Sequence, residues 1–226
     1  MRPSPLLNRP GAVASAPEDP DQAVPAHLGD PGREQAALAE GRAVCPLARD
    51  VVTVTGPDRL SWLTTLSSQV LTALEPGDGG AETLLLDAQG HITHALAALD
   101  DGRTLWLVVE AGGGESLSIF LDSMRFMLRV EVTERPDVMA LGALGEGLEA
   151  LVQAARDTAP DASDSPAEAG DAEPQGSLIG LWRDPWPGVV EHQLQALVRI
   201  AAVQRQVGGA QFDRGQQRQG QEHRTR

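Results

Sequence analysis

Two hydrophobic periods alternate along the middle of this chain, and their order predicts its fold. Val51-Val52-Thr53-Val54-Thr55 is β-branched at every position, which favours a strand. Gly56-Pro57-Asp58 turns the chain, with Asp58 placed as a helix N-cap. Leu60, Leu63, Val70, Leu71 and Leu74 then recur at helical spacing as far as Pro76-Gly77. The period returns to that of strands over 83–87 and 92–99, joined by the tight turn Ala88-Gln89-Gly90. A third strand, 104–110, follows the Asp100-Asp101-Gly102 turn. After the glycines at 112–114, Leu117, Phe120, Leu121, Met124 and Leu128 share one helical face, and strands over 129–133 and 138–144 close the unit. This order predicts an α+β fold, an antiparallel sheet with helices on one face.

The flanks divide by composition. Residues 1–31, rich in Pro, Ala and Asp, read as an irregular lead-in. The α+β domain is expected over 32–156, opening with a helix over Gly32–Glu40 stopped by Gly41 and extending through a helix over 146–155. Residues 157–176 hold almost only Ala, Asp, Glu, Ser, Pro and Gly, and are expected to form an acidic disordered linker. A partial second segment over 177–203 offers strands at 178–182 and from Leu194. The Gln/Arg-rich tail, 204–226, loses apolar periodicity and is expected to be disordered.

Charge and composition narrow the chemistry. The net charge of −14 opposes nucleic-acid binding and anionic membranes, and no apolar run is long enough to span a bilayer. All 18 basic residues are Arg, so Schiff-base and phosphate-loop lysine chemistry is excluded within this chain. The single cysteine, Cys45, permits no internal disulfide and no multi-thiolate metal site, and its apolar neighbours suit a buried thiol. His91 and His94, three apart on one strand, face opposite sides and do not share a metal. The chain is expected to be cytoplasmic, without bound metal.

Three blocks carry a resemblance. Val54-Thr55-Gly56-Pro57-Asp58-Arg59-Leu60 running to Ser68-Gln69-Val70, the turn Leu85-Leu86-Asp87-Ala88-Gln89-Gly90-His91-Ile92, and Met124 to Val132 stand in the order found in one family. The chain resembles YgfZ-like and glycine-cleavage T-protein (GcvT-like) folate-binding sequences. The resemblance implies their ferredoxin-like, folate-binding aminomethyltransferase fold, with tetrahydrofolate or a derivative as ligand. The C-terminal barrel that normally follows in the family is expected to be absent here.

The family's two branches differ at an acidic pair after the glycine of that turn. Here those positions hold His94 and Ala95, which favours the YgfZ type, an accessory protein supporting iron–sulfur enzymes. The rivals are a tetrahydrofolate-dependent aminomethyltransferase and an inactive truncated remnant. Of the YgfZ signature only Gly220, Gln221 and Glu222 are present, without its cysteine, so the tail is expected to be a truncated, frameshifted or decayed end.

By resemblance Asp87 and His94 lie near the ligand, and Arg125 and Arg129 suit an anionic glutamate tail. Each also has an ordinary structural reading: Asp87 as a hairpin cap, the arginines as helix C-terminal cations, Trp62 as core.

Overall fold

The computed structural model describes residues 3–144, 178–183 and 194–199. Its first surprise is that the Pro-rich lead-in is ordered. A 3-10 turn over Pro5–Asn8 is followed by a two-stranded antiparallel ribbon, β1 (Val13–Ala14) and β2 (Pro25–His27). Ser4 N–H donates to the Ala23 carbonyl at 2.7 Å, and Ala23 and Val24 bury against Ala48, with Ala111 alongside. Composition hid this clip because its apolar cover comes from residues far along the chain. Helix α1 (Pro31–Ala39) starts where Asp30 accepts from Arg33 N–H at 3.1 Å and Glu34 reaches back to Leu28 and Asp30 N–H.

Strands β3 (Val44–Leu47) and β4 (Arg49–Thr55) follow almost without a break. Helix α2 (Arg59–Leu66) stops well short of the run expected to reach Leu74. The polar side chains within that run explain why. Thr64 Oγ1 accepts from Leu71 and Thr72 N–H at 2.9 and 3.2 Å, and Ser68 exchanges hydrogen bonds with Leu84. Hydroxyls that offer the backbone other partners end a helix, and only a short 3-10 turn, Leu71–Ala73, remains.

Then come β5 (Ala81–Leu86), β6 (Ile92–Asp100), β7 (Thr104–Glu110), helix α3 (Gly114–Met124), β8 (Glu131–Glu134) and β9 (Val138–Ala143). Strands β10 (Leu178–Arg183) and β11 (Leu194–Arg199) complete the described residues. Leu128, expected on the α3 face, lies beyond the helix, past Phe126 at φ +26°. The helix expected over 146–155, most of the linker and the tail 204–226 lie outside the described residues.

The five-stranded sheet runs β5-β6-β7-β4-β8, antiparallel throughout. Taken as β4-α2-β6-β7-α3-β8, with spatial order β8-β4-β7-β6, this is the ferredoxin-like unit with β5 added at one edge. Val52, Val54, Leu105 and Leu107 face Trp62 and Leu63 of α2 and Leu117 and Leu121 of α3. Trp62 is therefore core.

One sheet was expected for the domain; besides the β1-β2 ribbon, the described residues form two. A four-stranded sheet, β10-β11-β9-β3, takes the strand over 138–143 out of the main sheet. The split falls at Arg135-Pro136, where Pro136 has no N–H to continue a ladder. The face of the main sheet opposite the helices, Val51, Leu99, Trp106 and Val108, packs on Val138, Ala140, Trp182 and Leu197 of the second sheet. The central sheet is covered on both sides, which is why Thr104 to Val109 is buried without alternation. Among the described residues no set of strands closes into a barrel.

Candidate functional site

The β5–β6 hairpin positions the first two candidates. At its turn Asp87 Oδ1 accepts from Gln89 and His91 N–H at 2.9 and 2.8 Å, and Oδ2 lies 2.9 Å from His91 Nδ1. The bond to the His91 ring, followed by those from backbone amides, holds this carboxyl below its ordinary value. Asp87 thus caps its own turn.

His94 lies on the same face of β6 as Leu96 and Ala98, toward the helices. Its Nε2 is 3.1 Å from Ser116 Oγ on α3, and its ring centroid is 6.3 Å from that of Phe120. Ser116 gives its proton to the Gly113 carbonyl, so its oxygen is open to an N–H from the imidazole. Thr93, 3.3 Å from Nδ1, spends its own hydroxyl proton on the Leu85 carbonyl. Both hydroxyl oxygens can thus accept from the ring, and the tautomer sets which of them does. Burial lowers the pKa and keeps the ring neutral.

The two arginines flank the end of α3. Arg125 pairs with Asp122 at 3.0 Å, one turn back on the same helix. Arg129 holds Asp58 through Nη2 at 3.0 Å, Nε at 3.2 Å and its backbone N–H at 3.0 Å. These bonds push the Asp58 carboxyl down and the Arg129 guanidinium up. Asp58 sits at the N-cap position of α2 but makes no side-chain cap bond, contrary to expectation, because Arg129 engages it. Gly56 lets the chains meet: at φ +105° it has the Arg129 carbonyl where a Cβ would stand. Asp87, His94, Arg125 and Arg129 share no hydrogen bond or ion pair with one another. Gly220, Gln221 and Glu222 lie outside the described residues.

The structure adds a site the sequence did not suggest. A cleft of about 370 Å³ opens between the N-terminal clip and the start of β4, walled by Ser4, Val24 and Ala48 among others. Arg49, Glu115 and Glu134 line it as well. None of the four candidates above does. It draws on five separate stretches of chain, so no local pattern could have marked it. Cys45 lies in β3, where burial raises its thiol pKa. Among the described residues no three His, Cys, Asp or Glu side chains group to hold a metal.

Layering and strand order define an α+β protein whose ferredoxin-like sheet is held between a helical layer and a second sheet. A solved structure shares that architecture, the glycine cleavage system aminomethyltransferase T from Bartonella henselae. The match has a TM-score of 0.60 at 18% identity and covers 90% of this chain. It covers 54% of the other chain, so this chain spans about half the length of that enzyme. The fold is therefore of the aminomethyltransferase (GcvT-like) type. Heterotetrameric sarcosine oxidase from Corynebacterium sp. U-96, in complex with pyrrole 2-carboxylate, overlaps at a TM-score of only 0.39 and 16% identity, over 77% of this chain and 87% of that one. No family model matches the sequence, and no curated protein does.

Proposed function

We propose that this chain is a folate-binding accessory protein of the YgfZ type, taking tetrahydrofolate or a derivative and supporting iron–sulfur enzymes. Two things support the reading: the aminomethyltransferase-type fold and, by the sequence resemblance, His94 and Ala95 where the T-protein branch carries its acidic pair. A carboxylate there could take a proton from a folate amine. A neutral imidazole offers one N–H and one ring-nitrogen lone pair. This side chain can orient a pterin N–H, and it supplies no anionic base.

The residues present suit such a ligand at both ends. His94 offers the acceptor for the pterin. Arg125, tied through Nε to Asp122, and Arg129, tied to Asp58, are exposed guanidiniums of the kind that pair with glutamate carboxylates. Asp87 rigidifies the hairpin that carries His94. Bound folate would supply a one-carbon carrier; the protein would hold and orient it.

The second reading, a tetrahydrofolate-dependent aminomethyltransferase, is favoured by the enzyme whose fold this chain shares. Calorimetric titration of the full chain with tetrahydrofolate and with folinic acid tests both. Saturable binding is expected, weakened at least about tenfold in His94→Ala if the imidazole accepts a pterin bond. No saturable heat with either compound rejects the folate reading. Formation of methylenetetrahydrofolate from an aminomethyl donor would move the protein to the transferase branch.

A further inference from the structure

Nine large apolar side chains stand exposed among the described residues, and five of them lie together near the end of α3. They are Ile119, Met124, Phe126, Met127 and Leu128. The inner side of this helix is already covered, with Leu117 and Leu121 fully buried against the sheet. Ile119 lies about 200° round the helix from Leu117, on the outer side. Phe126, seven residues further on, comes round to that same side.

The turn after the helix holds a strained residue. Phe126 has φ +26°, in the left-handed region that a bulky side chain rarely adopts. Leu128 N–H donates to the Arg125 carbonyl at 2.9 Å and closes the turn. Packing within the fold does little to offset the strain, since Phe126 is 82% exposed and Met127 88%. Strain that internal contacts do not offset points to a contact made outside the chain.

Charge decides what kind of partner that is. The ionic groups beside the turn cancel in pairs, Arg125 with Asp122 and Arg129 with Asp58, each at 3.0 Å. Neither a basic nor an acidic partner is selected. The whole chain carries −14, which holds copies apart over most of their surface and opposes an anionic membrane. A neutral apolar patch is where two copies can meet without bringing like charges together, and two-fold contact needs such a self-complementary surface. The adjacent sheet edge is less suited: β8 is an outer strand, but Glu131 and Glu134 on it oppose pairing between copies.

The area suffices. An aromatic side chain presents on the order of 150–250 Å² and the aliphatic ones somewhat less, so the five exposures amount to roughly 600 Å² per copy. Two copies would bury about 1,200 Å², the low end of specific interfaces.

We propose that the chain forms a two-fold dimer through this patch, α3 against α3 of a second copy. Phe126 and Met127 of each copy are covered by the other, and the modest area makes the dimer reversible rather than obligate. The patch includes neither Asp87 nor His94, so the dimer does not rest on the folate reading.

Sedimentation velocity of the full chain across the micromolar range tests this. A species of 23.9 kDa should convert to one of twice that mass as concentration rises. Phe126→Gly should raise the dissociation constant about tenfold or more. The same change relieves the strained φ, so the urea midpoint of the dilute monomer should not fall; a lowered midpoint would show that the ring packs within its own chain and would overturn the proposal. Ile119→Arg should weaken the dimer as much by setting like charges face to face, and mixing it with Ile119→Glu should restore association. Val13→Ser, at an exposed position on the N-terminal ribbon, should leave the dimer unchanged. Added salt should tighten association by screening the general repulsion. A single monomeric species at every concentration overturns the proposal, as does a dimer that survives both Phe126→Gly and Ile119→Arg or dissociates in salt. Flotation of the wild type but not of Phe126→Gly with phosphatidylcholine vesicles would assign the patch to a lipid surface instead.

Discussion

His94 is the residue on which sequence and structure bear most directly. Burial under α3 depresses its pKa from the ordinary 6.5, so the unfolded chain binds the proton more readily than the folded one. Its contribution to stability is therefore complete above about pH 6.5 and is lost as pH falls from there through the depressed folded value. Urea midpoints at pH 7.5 and 5.0 should show a drop in the wild type that is smaller in His94→Gln; an identical drop would refute the assignment. Asp58 and Asp87, with depressed carboxyl values, lose their contributions only at more acid pH, below the ordinary 3.8. The position of His94 after the family turn could be read from sequence. Which way its ring points, and that Ser116 and Phe120 receive it, could not, because those residues lie on a helix folded back over the strand.

Elements here are joined by a few polar ties as well as by apolar faces. The strongest links the start of α2 to the end of β6: Arg59 Nε and Nη2 meet Asp100 Oδ1 and Oδ2 at 2.8 and 2.9 Å, with only 12% and 3% of the two side chains exposed. Asp100→Asn should keep the turn bond to Gly102 N–H at Oδ yet leave the guanidinium without its charge partner. A loss of about 3–5 kcal/mol in urea unfolding is expected, and Arg59→Met in the same background should recover part of it. A cost below the range of ordinary surface substitutions would contradict the tie. The pattern of apolar residues located most strands, α1 and α3 within a few residues. It overran α2 because it could not foresee that Thr64 and Ser68 turn toward Leu71 and Leu84. It passed over β3 because a short edge strand containing Pro46 carries little pattern of its own.

At the scale of the whole molecule, the central sheet is shared by two cores. Leu117, fully buried, belongs to the helical side, and Leu197, 1% exposed, belongs to the side of the second sheet. If the shared sheet couples them, Leu117→Ala and Leu197→Ala should each cost about 2–5 kcal/mol while leaving a single unfolding transition. Separate transitions by tryptophan fluorescence and far-ultraviolet circular dichroism would show that the second sheet melts alone. Trp106 and Trp182 report the inter-sheet core, and Trp62 reports the helical one. The signal for this double cover was present in the unbroken apolar run Leu105 to Val109, the mark of a strand buried on both faces. What covered the second face was not, since β10 and β11 lie far along the chain.

By itself the sequence determined the secondary elements of the middle region, their order and the α+β class, because those depend on local periodicity and turn chemistry that neighbouring residues carry. The tertiary structure alone decided the partition into two sheets, the ordering of the N-terminal clip and the cleft it walls. It also decided the use of Asp58 and Arg129 as ties within the fold. Each of these is a contact between residues distant in sequence, and such contacts are set by which surfaces bury one another when the chain closes.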